Sequence, residues 1–201
     1  MEEIYNELIK YISKDRVLQN EPMSKHTTFK IGGPADIFVK VNSVQELKYV
    51  VNLSKENNIP LTVIGNGSNT VVKDKGIRGI TVKLYLEEIK INDEQIEVGA
   101  GVLLSKIARV ACENELSGLE FACGIPGTIG GAIKMNASAY DGEFKEIVMN
   151  TTYLDENGET HTVNNEEQKF SYRDSLFNQN DKYMILNSTL KLYKSNREEI
   201  L

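Results

Sequence analysis

The sequence predicts an α+β fold, and three of its features do so. A strand–helix–strand alternation runs from Ile37 to Ile64. Pairs of alternating apolar runs further along are joined by turn residues. Two glycine-rich stretches, Gly65–Thr70 and Gly124–Gly131, interrupt the regular pattern. At 201 residues the chain is long enough for one sizeable domain or two small ones. Its 40% hydrophobic and 26% charged content is that of an ordinary globular protein. A net charge of −6 without a Lys/Arg cluster argues against nucleic acid as a main partner. Two cysteines, Cys112 and Cys123, are too few for a disulfide framework or a four-ligand zinc site, so no metal and a reducing, cytoplasmic setting are expected. The start, Met-Glu-Glu-Ile-Tyr-Asn, lacks the basic-then-apolar pattern of a signal peptide, and no apolar run approaches a membrane span.

Taken in order, Glu2–Ile12 places Ile4, Leu8 and Tyr11 or Ile12 on one face of an amphipathic helix. Asp15–Ser24 is polar and reads as irregular. His26 has no acidic or metal-binding neighbour at a useful spacing and reads as a hydrogen-bonding structural histidine. Gly32-Gly33-Pro34 marks a sharp turn, after which Ile37, Val39 and Val41 alternate as in a half-buried strand. Ser43 and Glu46 form a capping box that opens a helix with Val44, Leu47 and Val50 or Val51 inward. Asn57, Asn58 and Pro60 end that helix, and Leu61–Ile64 is a buried strand. This β–α–β unit implies a parallel strand pair. Val71–Asp74 reads as short and strand-like, and Ile80–Val82 as a strand. Ile89 and Ile91 pair with Ile96 and Val98 across Asn92-Asp93-Glu94. Leu103 or Leu104, Ile107 and Val110 or Ala111 give another helix, ending near Asn114. A second hairpin joins Ile147–Leu154 to Glu159–Val163 through Asp155–Gly158. Tyr183–Tyr193 alternates as a long strand, and the last eight residues start a helix.

The two glycine-rich stretches carry the functional signal. Between Gly124 and Gly131 there are four glycines and one proline, and Thr128 is the sole polar side chain before Lys134. A loop that merely faced water would carry Asp, Asn, Ser or Lys. Small residues instead let backbone N–H groups approach a ligand, and successive N–H groups make an anion-binding nest. A tight turn into a buried helix is the plainer alternative. Gly65-Asn-Gly-Ser-Asn-Thr70 follows a strand directly, at the end where open α/β sheets bind ligands. It lacks the Gly-Lys-Ser/Thr of a P-loop, and no third glycine or helix completes a Rossmann fingerprint. A nucleotide site of neither kind is therefore predicted, although Asn-Gly alone is also an ordinary turn dipeptide.

Five segments in order sharpen this reading: Thr27–Gly33, Gly65–Asn69, Cys123–Gly131, Met135–Ala137 and Ser171–Phe177. Together they resemble the UDP-N-acetylenolpyruvoylglucosamine reductase (MurB) family of bacterial peptidoglycan synthesis, from about residue 20 to about residue 195. The resemblance implies an FAD-binding fold of the type shared with vanillyl-alcohol oxidase and p-cresol methylhydroxylase, with two α/β subdomains and FAD between them. It implies an N-terminal helix and arm (1–30), an FAD-binding domain (31–195, with subdomains about 31–85 and 86–195) and the start of a substrate-binding domain (196–201). By the same resemblance Val63, Ile64, Gly65, Asn66, Gly67, Ser68 and Asn69 bind the cofactor. So do Gly124, Ile125, Pro126, Gly127, Thr128, Gly130 and Gly131, with Asn136 and Ala137 nearby. Ser138 and Asp141 stand where the family has glycine, so FAD affinity is expected to differ.

The implied reaction uses NADPH to reduce FAD and then passes hydride to the enolpyruvyl double bond of UDP-N-acetylglucosamine enolpyruvate, giving UDP-N-acetylmuramate. Arg173 matches the family's catalytic arginine, and Tyr172 a tyrosine beside the substrate. A guanidinium suits a substrate carboxylate because it is always cationic and binds bidentately. Read without the family, Arg173 beside Asp174 is a solvated surface pair. The family's proton-donating serine and its C-terminal glutamate fall outside this sequence, so turnover by this chain alone is not expected. A separate C-terminal domain, or self-association through an exposed apolar face, would be its macromolecular partner. The alternatives are a cofactor-free interaction module and another flavin oxidase of the same superfold. Gly65–Thr70 contains no histidine or cysteine for a covalent flavin link, which favours non-covalent FAD.

Overall fold

The computed structural model describes residues 1–200. The chain divides into two compact units: Met1–Leu86 with Glu156–Glu159, and Glu87–Asp155 with Thr160 onward. None of the helices among the described residues is long and apolar enough to cross a membrane.

The first unit begins with α1 (Glu2–Tyr11), which buries Ile4 and Leu8. Ile12, just past its end, is buried, whereas Tyr11 is 54% exposed, so the inner face runs through Ile12. The expected irregular stretch that follows contains β1 (Val17–Pro22), paired antiparallel with β2 (Pro34–Val41). α2 (Val44–Glu56) follows, then β3 (Leu61–Ile64) and β4 (Ile77–Leu84). The sheet order is β1-β2-β4-β3, with β4 parallel to both β2 and β3. The β–α–β unit is therefore present, but its two strands do not pair directly, because β4 lies between them. β2 is not half-buried as its alternation suggested. Ile37, Phe38 and Val39 are each fully buried, so both faces of this central strand are covered. Each such side chain removed from water contributes about 1.5–3 kcal/mol. Phe38 packs with Met23, Ala35, Ile64 and Val72. β3, at the sheet edge, is only partly buried, and Val71–Asp74 forms no strand.

The cap of α2 departs from the expected box in one respect. Ser43 Oγ accepts the Glu46 N–H at 3.2 Å, but Glu46 reaches past Ser43 to accept the Asn42 N–H at 2.8 Å. Its carboxylate also takes a two-pronged contact from Arg16, at 2.6 and 2.8 Å. That contact, chiefly a hydrogen bond, holds the Glu46 carboxyl below its ordinary range.

The second unit is built on a five-stranded antiparallel sheet. Its hairpin β5 (Ile89–Asn92) and β6 (Gln95–Gly99) turns where expected, with Asp93 in the left-handed region. α3 (Leu104–Glu113) buries Leu104, Ile107, Ala111 and Cys112. Then come β7 (Leu116–Ser117), α4 (Ile129–Lys134), β8 (Ser138–Ala139), β9 (Gly142–Glu143) and α5 (Phe144–Ile147). The second predicted hairpin is β10 (Val148–Leu154) with β11 (Thr160–Asn164). α6 (Leu176–Gln179), β12 (Met184–Lys191), β13 (Tyr193–Lys194) and α7 (Arg197–Ile200) complete the chain. The sheet order is β11-β10-β12-β6-β5, β7 pairs with β13, and β8 with β9. The terminal helix expected over the last eight residues is present as α7, and Leu201 lies outside the described residues.

Candidate functional site

In the first unit the glycine-rich loop leaves β3 at its carboxyl end, as the sequence implied. Gly67 lies at φ +68°, and a Cβ there would sit 1.9 Å from the His26 carbonyl oxygen. Only glycine lets the two backbones touch in this way. The Thr28 N–H donates to the Gly67 carbonyl at 3.0 Å, stitching the loop to the arm before β2. The N–H groups of Asn66, Gly67, Ser68 and Asn69 find no acceptor among the described residues. Four consecutive free donors form a nest suited to an anion. Gly67 is buried, Asn69 exposed, and the rest of the loop lies between.

His26 braces this loop. Its Nε2 lies 3.0 Å from Glu21 Oε1 and its ring stacks on Phe38, 4.1 Å between centroids. The expectation of a hydrogen-bonding structural histidine holds, but it does have an acidic partner, brought in by β1. Burial pushes its pKa down, with the Glu21 hydrogen bond opposing. Lys83 escaped notice in the sequence. It lies directly beside Ile64 in the parallel ladder, half-buried, with its pKa lowered by burial and then by Lys40. No carboxylate pairs with it among the described residues. A lysine inside the apolar run Ile80–Leu84 was the available signal. It adds positive charge to this end of the sheet.

In the second unit the loop Phe121–Gly131 starts from Phe121, packed edge-on to Phe144 at 5.5 Å between centroids, and is tied by backbone bonds at its far end. Leu104 N–H donates to Gly127 O at 3.0 Å and Ile129 N–H to Val102 O at 2.9 Å, bracketing an isolated bridge between Leu103 and Thr128. Gly130 N–H donates to Ala100 O at 2.9 Å. The N–H groups of Gly124, Gly127 and Thr128 find no acceptor among the described residues. A Cβ on Gly124 would meet nothing within 4 Å, and one on Gly131 would meet only Thr128 Oγ1, at 3.6 Å. The protein's own packing therefore does not require glycine at either position. Cys123 is an exposed free thiol beside Gly124.

Tyr172 and Arg173 form the tip of a tight turn closed by two bonds, Ser171 N–H to Asp174 O at 3.0 Å and Asp174 N–H to Ser171 O at 3.2 Å. Tyr172 is 86% exposed, and Arg173 lies at φ +56°, in the left-handed region. The surface pair of Arg173 with Asp174 does not form. Asp174 instead accepts the side-chain amides of Asn178 and Gln179, each at 2.8 Å. These bonds, Gln179 first, lower its pKa. Arg173 is left exposed and without an ion pair among the described residues. Asn136, expected among the cofactor-binding residues, is 1% exposed, and both hydrogens of its side-chain amide are bonded within this unit, to Glu143 and to Ser171. Ala137 is buried beside it. Ser138 sits in β8, and Asp141 is exposed in the turn between β8 and β9.

Comparison with known proteins gives these loops a context. Residues 35–164 match the family described as FAD binding domain. The chain is 43% identical over 201 residues to UDP-N-acetylenolpyruvoylglucosamine reductase of Clostridioides difficile (strain 630), covering 99% of this chain and 66% of that protein. The enzyme of the same name from Caldanaerobacter subterraneus subsp. tengcongensis is 45% identical, with 100% and 67% covered. Among solved structures, the UDP-N-acetylenolpyruvylglucosamine reductase (MurB) of Thermus caldophilus superposes with a TM-score of 0.77 at 32% identity, covering 92% of this chain and 64% of that one. p-Cresol methylhydroxylase superposes at 0.73 with 17% identity, covering 96% of this chain and 43% of that one, and so shares the fold alone. The chain thus spans about two thirds of the length of the curated relatives it matches. It belongs to the FAD binding domain family and, within that fold, to the UDP-N-acetylenolpyruvoylglucosamine reductases.

Proposed function

We propose that this chain is the FAD-binding portion of a reductase that uses NADPH to convert UDP-N-acetylglucosamine enolpyruvate into UDP-N-acetylmuramate in the cytoplasm. The observation that carries the reading is the pair of glycine loops, each presenting unpaired backbone N–H groups. Such donors fit the pyrophosphate of FAD, because fixed N–H dipoles offset anionic charge without requiring a lysine or a metal. By the family resemblance, Val63–Asn69 and Gly124–Gly131 are the segments that would contact it. The chemistry supplied by bound FAD is relay of hydride from NADPH to the enolpyruvyl double bond. Arg173 then has a defined task. Its guanidinium, exposed and free of carboxylate partners, binds the substrate carboxylate in a bidentate fashion and offsets the charge that develops there. Tyr172, beside it, would contact the same substrate. The proton donor and the glutamate that act with Arg173 lie, by resemblance, in the part of the relatives that this sequence does not span.

An absorbance titration of the purified chain with FAD tests the reading. A saturable shift of the flavin band is expected, and titration to high FAD without one would overturn it. Arg173→Ala is expected to leave that titration unchanged. In a complete reductase that joins this segment to the family's proton donor and glutamate, it should slow reoxidation of the reduced flavin by the UDP-sugar by about a hundredfold or more, as loss of a charge-stabilising donor does elsewhere.

A further inference from the structure

We propose that Asn136 is a positioning residue for Arg173 and not a contact to the cofactor; this rests on the role given to Arg173 above. The side chain of Asn136 has two donors, and both are used. Nδ2 donates to Glu143 Oε2 at 2.8 Å and to the Ser171 carbonyl at 3.0 Å. Oδ1 accepts the Lys145 N–H at 2.9 Å. Only this orientation of the amide satisfies all three partners. The reverse would set an oxygen against a carboxylate and a carbonyl, and an NH2 against an N–H. Asn136 itself sits at φ +41°, a conformation asparagine tolerates better than most residues.

The bond to Ser171 reaches across 35 residues of sequence to the first residue of the turn that carries Tyr172 and Arg173. A second tie holds the other side. Ser175, fully buried, donates to the Lys134 carbonyl at 2.8 Å and accepts the Phe177 N–H at 3.2 Å. The turn is thus fastened before and after its tip to one short segment, Lys134–Asn136. The tip itself is exposed, so these two anchors and the cross-turn bonds set where the guanidinium is held. A catalytic group must be held to a fraction of an ångström by such supporting bonds.

The test uses the full chain loaded with FAD. Asn136→Asp nearly preserves volume and keeps the acceptor for Lys145, but turns both donors into acceptors that face Glu143 and a carbonyl. Hydrogen exchange at the Ser171 and Asp174 amides is expected to accelerate about tenfold or more, while FAD affinity stays within about threefold. Ser175→Ala loosens the turn from its other end and should have the same signature, which keeps the test open if the first variant folds poorly. In a complete reductase that joins this segment to the family's proton donor and glutamate, Asn136→Ala added to Arg173→Ala should cost reoxidation by the UDP-sugar nothing further, because the first acts through the second. FAD binding weakened about tenfold with unchanged cross-turn exchange would overturn the proposal, as would fully additive losses in the double variant. If Arg173→Ala alone leaves reoxidation unchanged, the role of Arg173 fails. Exchange and FAD affinity then still decide whether Asn136 holds the turn.

Discussion

The two glycine loops resemble each other in composition and differ in what their glycines do. In Gly65–Asn69 the glycine at 67 serves the protein, whose backbone crosses at the His26 carbonyl, 1.9 Å from where a Cβ would be. In Gly124–Gly131 the space above Gly124 is open to 4 Å and Gly131 has room as well. Glycine at a place where the fold does not demand it points to something outside the fold that approaches there. The second loop is therefore the cleaner reporter of a ligand. The first combines a structural crossing with its free N–H groups, so a loss of binding there has two explanations.

Substitution should separate the two loops. Gly67→Ala forces a Cβ into the His26 carbonyl and fixes an unfavourable φ, and should cost about 2–5 kcal/mol of stability in the first unit, seen as a lower urea midpoint. A variant as stable as the parent would show that the crossing can relax. Gly124→Leu should leave stability within about 0.5 kcal/mol. It should nonetheless weaken FAD binding about tenfold or more, roughly 1.4 kcal/mol. Equal binding by that variant would break the contrast, because the open space would then face only solvent.

A pH series probes the brace under the first loop. Burial lowers the His26 pKa below 6.5, with Glu21 opposing and Lys83 and Lys40 assisting. The unfolded chain therefore binds a proton more readily in the window just below pH 6.5. Stability should fall as pH drops through that window and level off below the folded pKa. His26→Gln should remove this slope and leave the acid transition of the Glu46 carboxyl, which lies lower. A slope unchanged by His26→Gln would assign it to another group.

The sequence made most helices and both hairpins legible, because their signals are local. Alternation and Asn-Asp or Asn-Gly turns are read within a dozen residues. β1 was missed for a physical reason. It is an edge strand of which only Val17 is buried, and Asn20, at φ +51°, falls where its register with β2 has no partner. Neither solvation nor propensity marks such a strand. The insertion of β4 between β2 and β3 was also invisible, since local patterning specifies a strand but not its neighbour. For the candidate site, motif order singled out both loops and the Tyr172–Arg173 turn as the segments to consider. It gave no sign that Asn136 is consumed by Glu143, Lys145 and Ser171, because those contacts exist only once distant segments are folded together. Lys83 was hidden by its apolar neighbours.

The left-handed backbone at Arg173 has a consequence for anyone selecting more stable variants. Its φ of +56° is one an arginine adopts at a cost and a glycine adopts freely. Relief of about 1–2 kcal/mol is offset in part by the looser unfolded chain that glycine brings. Arg173→Gly should thus be neutral or mildly stabilising while removing the one unpaired guanidinium of the turn. A screen rewarding thermal tolerance alone would keep that exchange, and so discard the guanidinium to which the proposed chemistry is assigned.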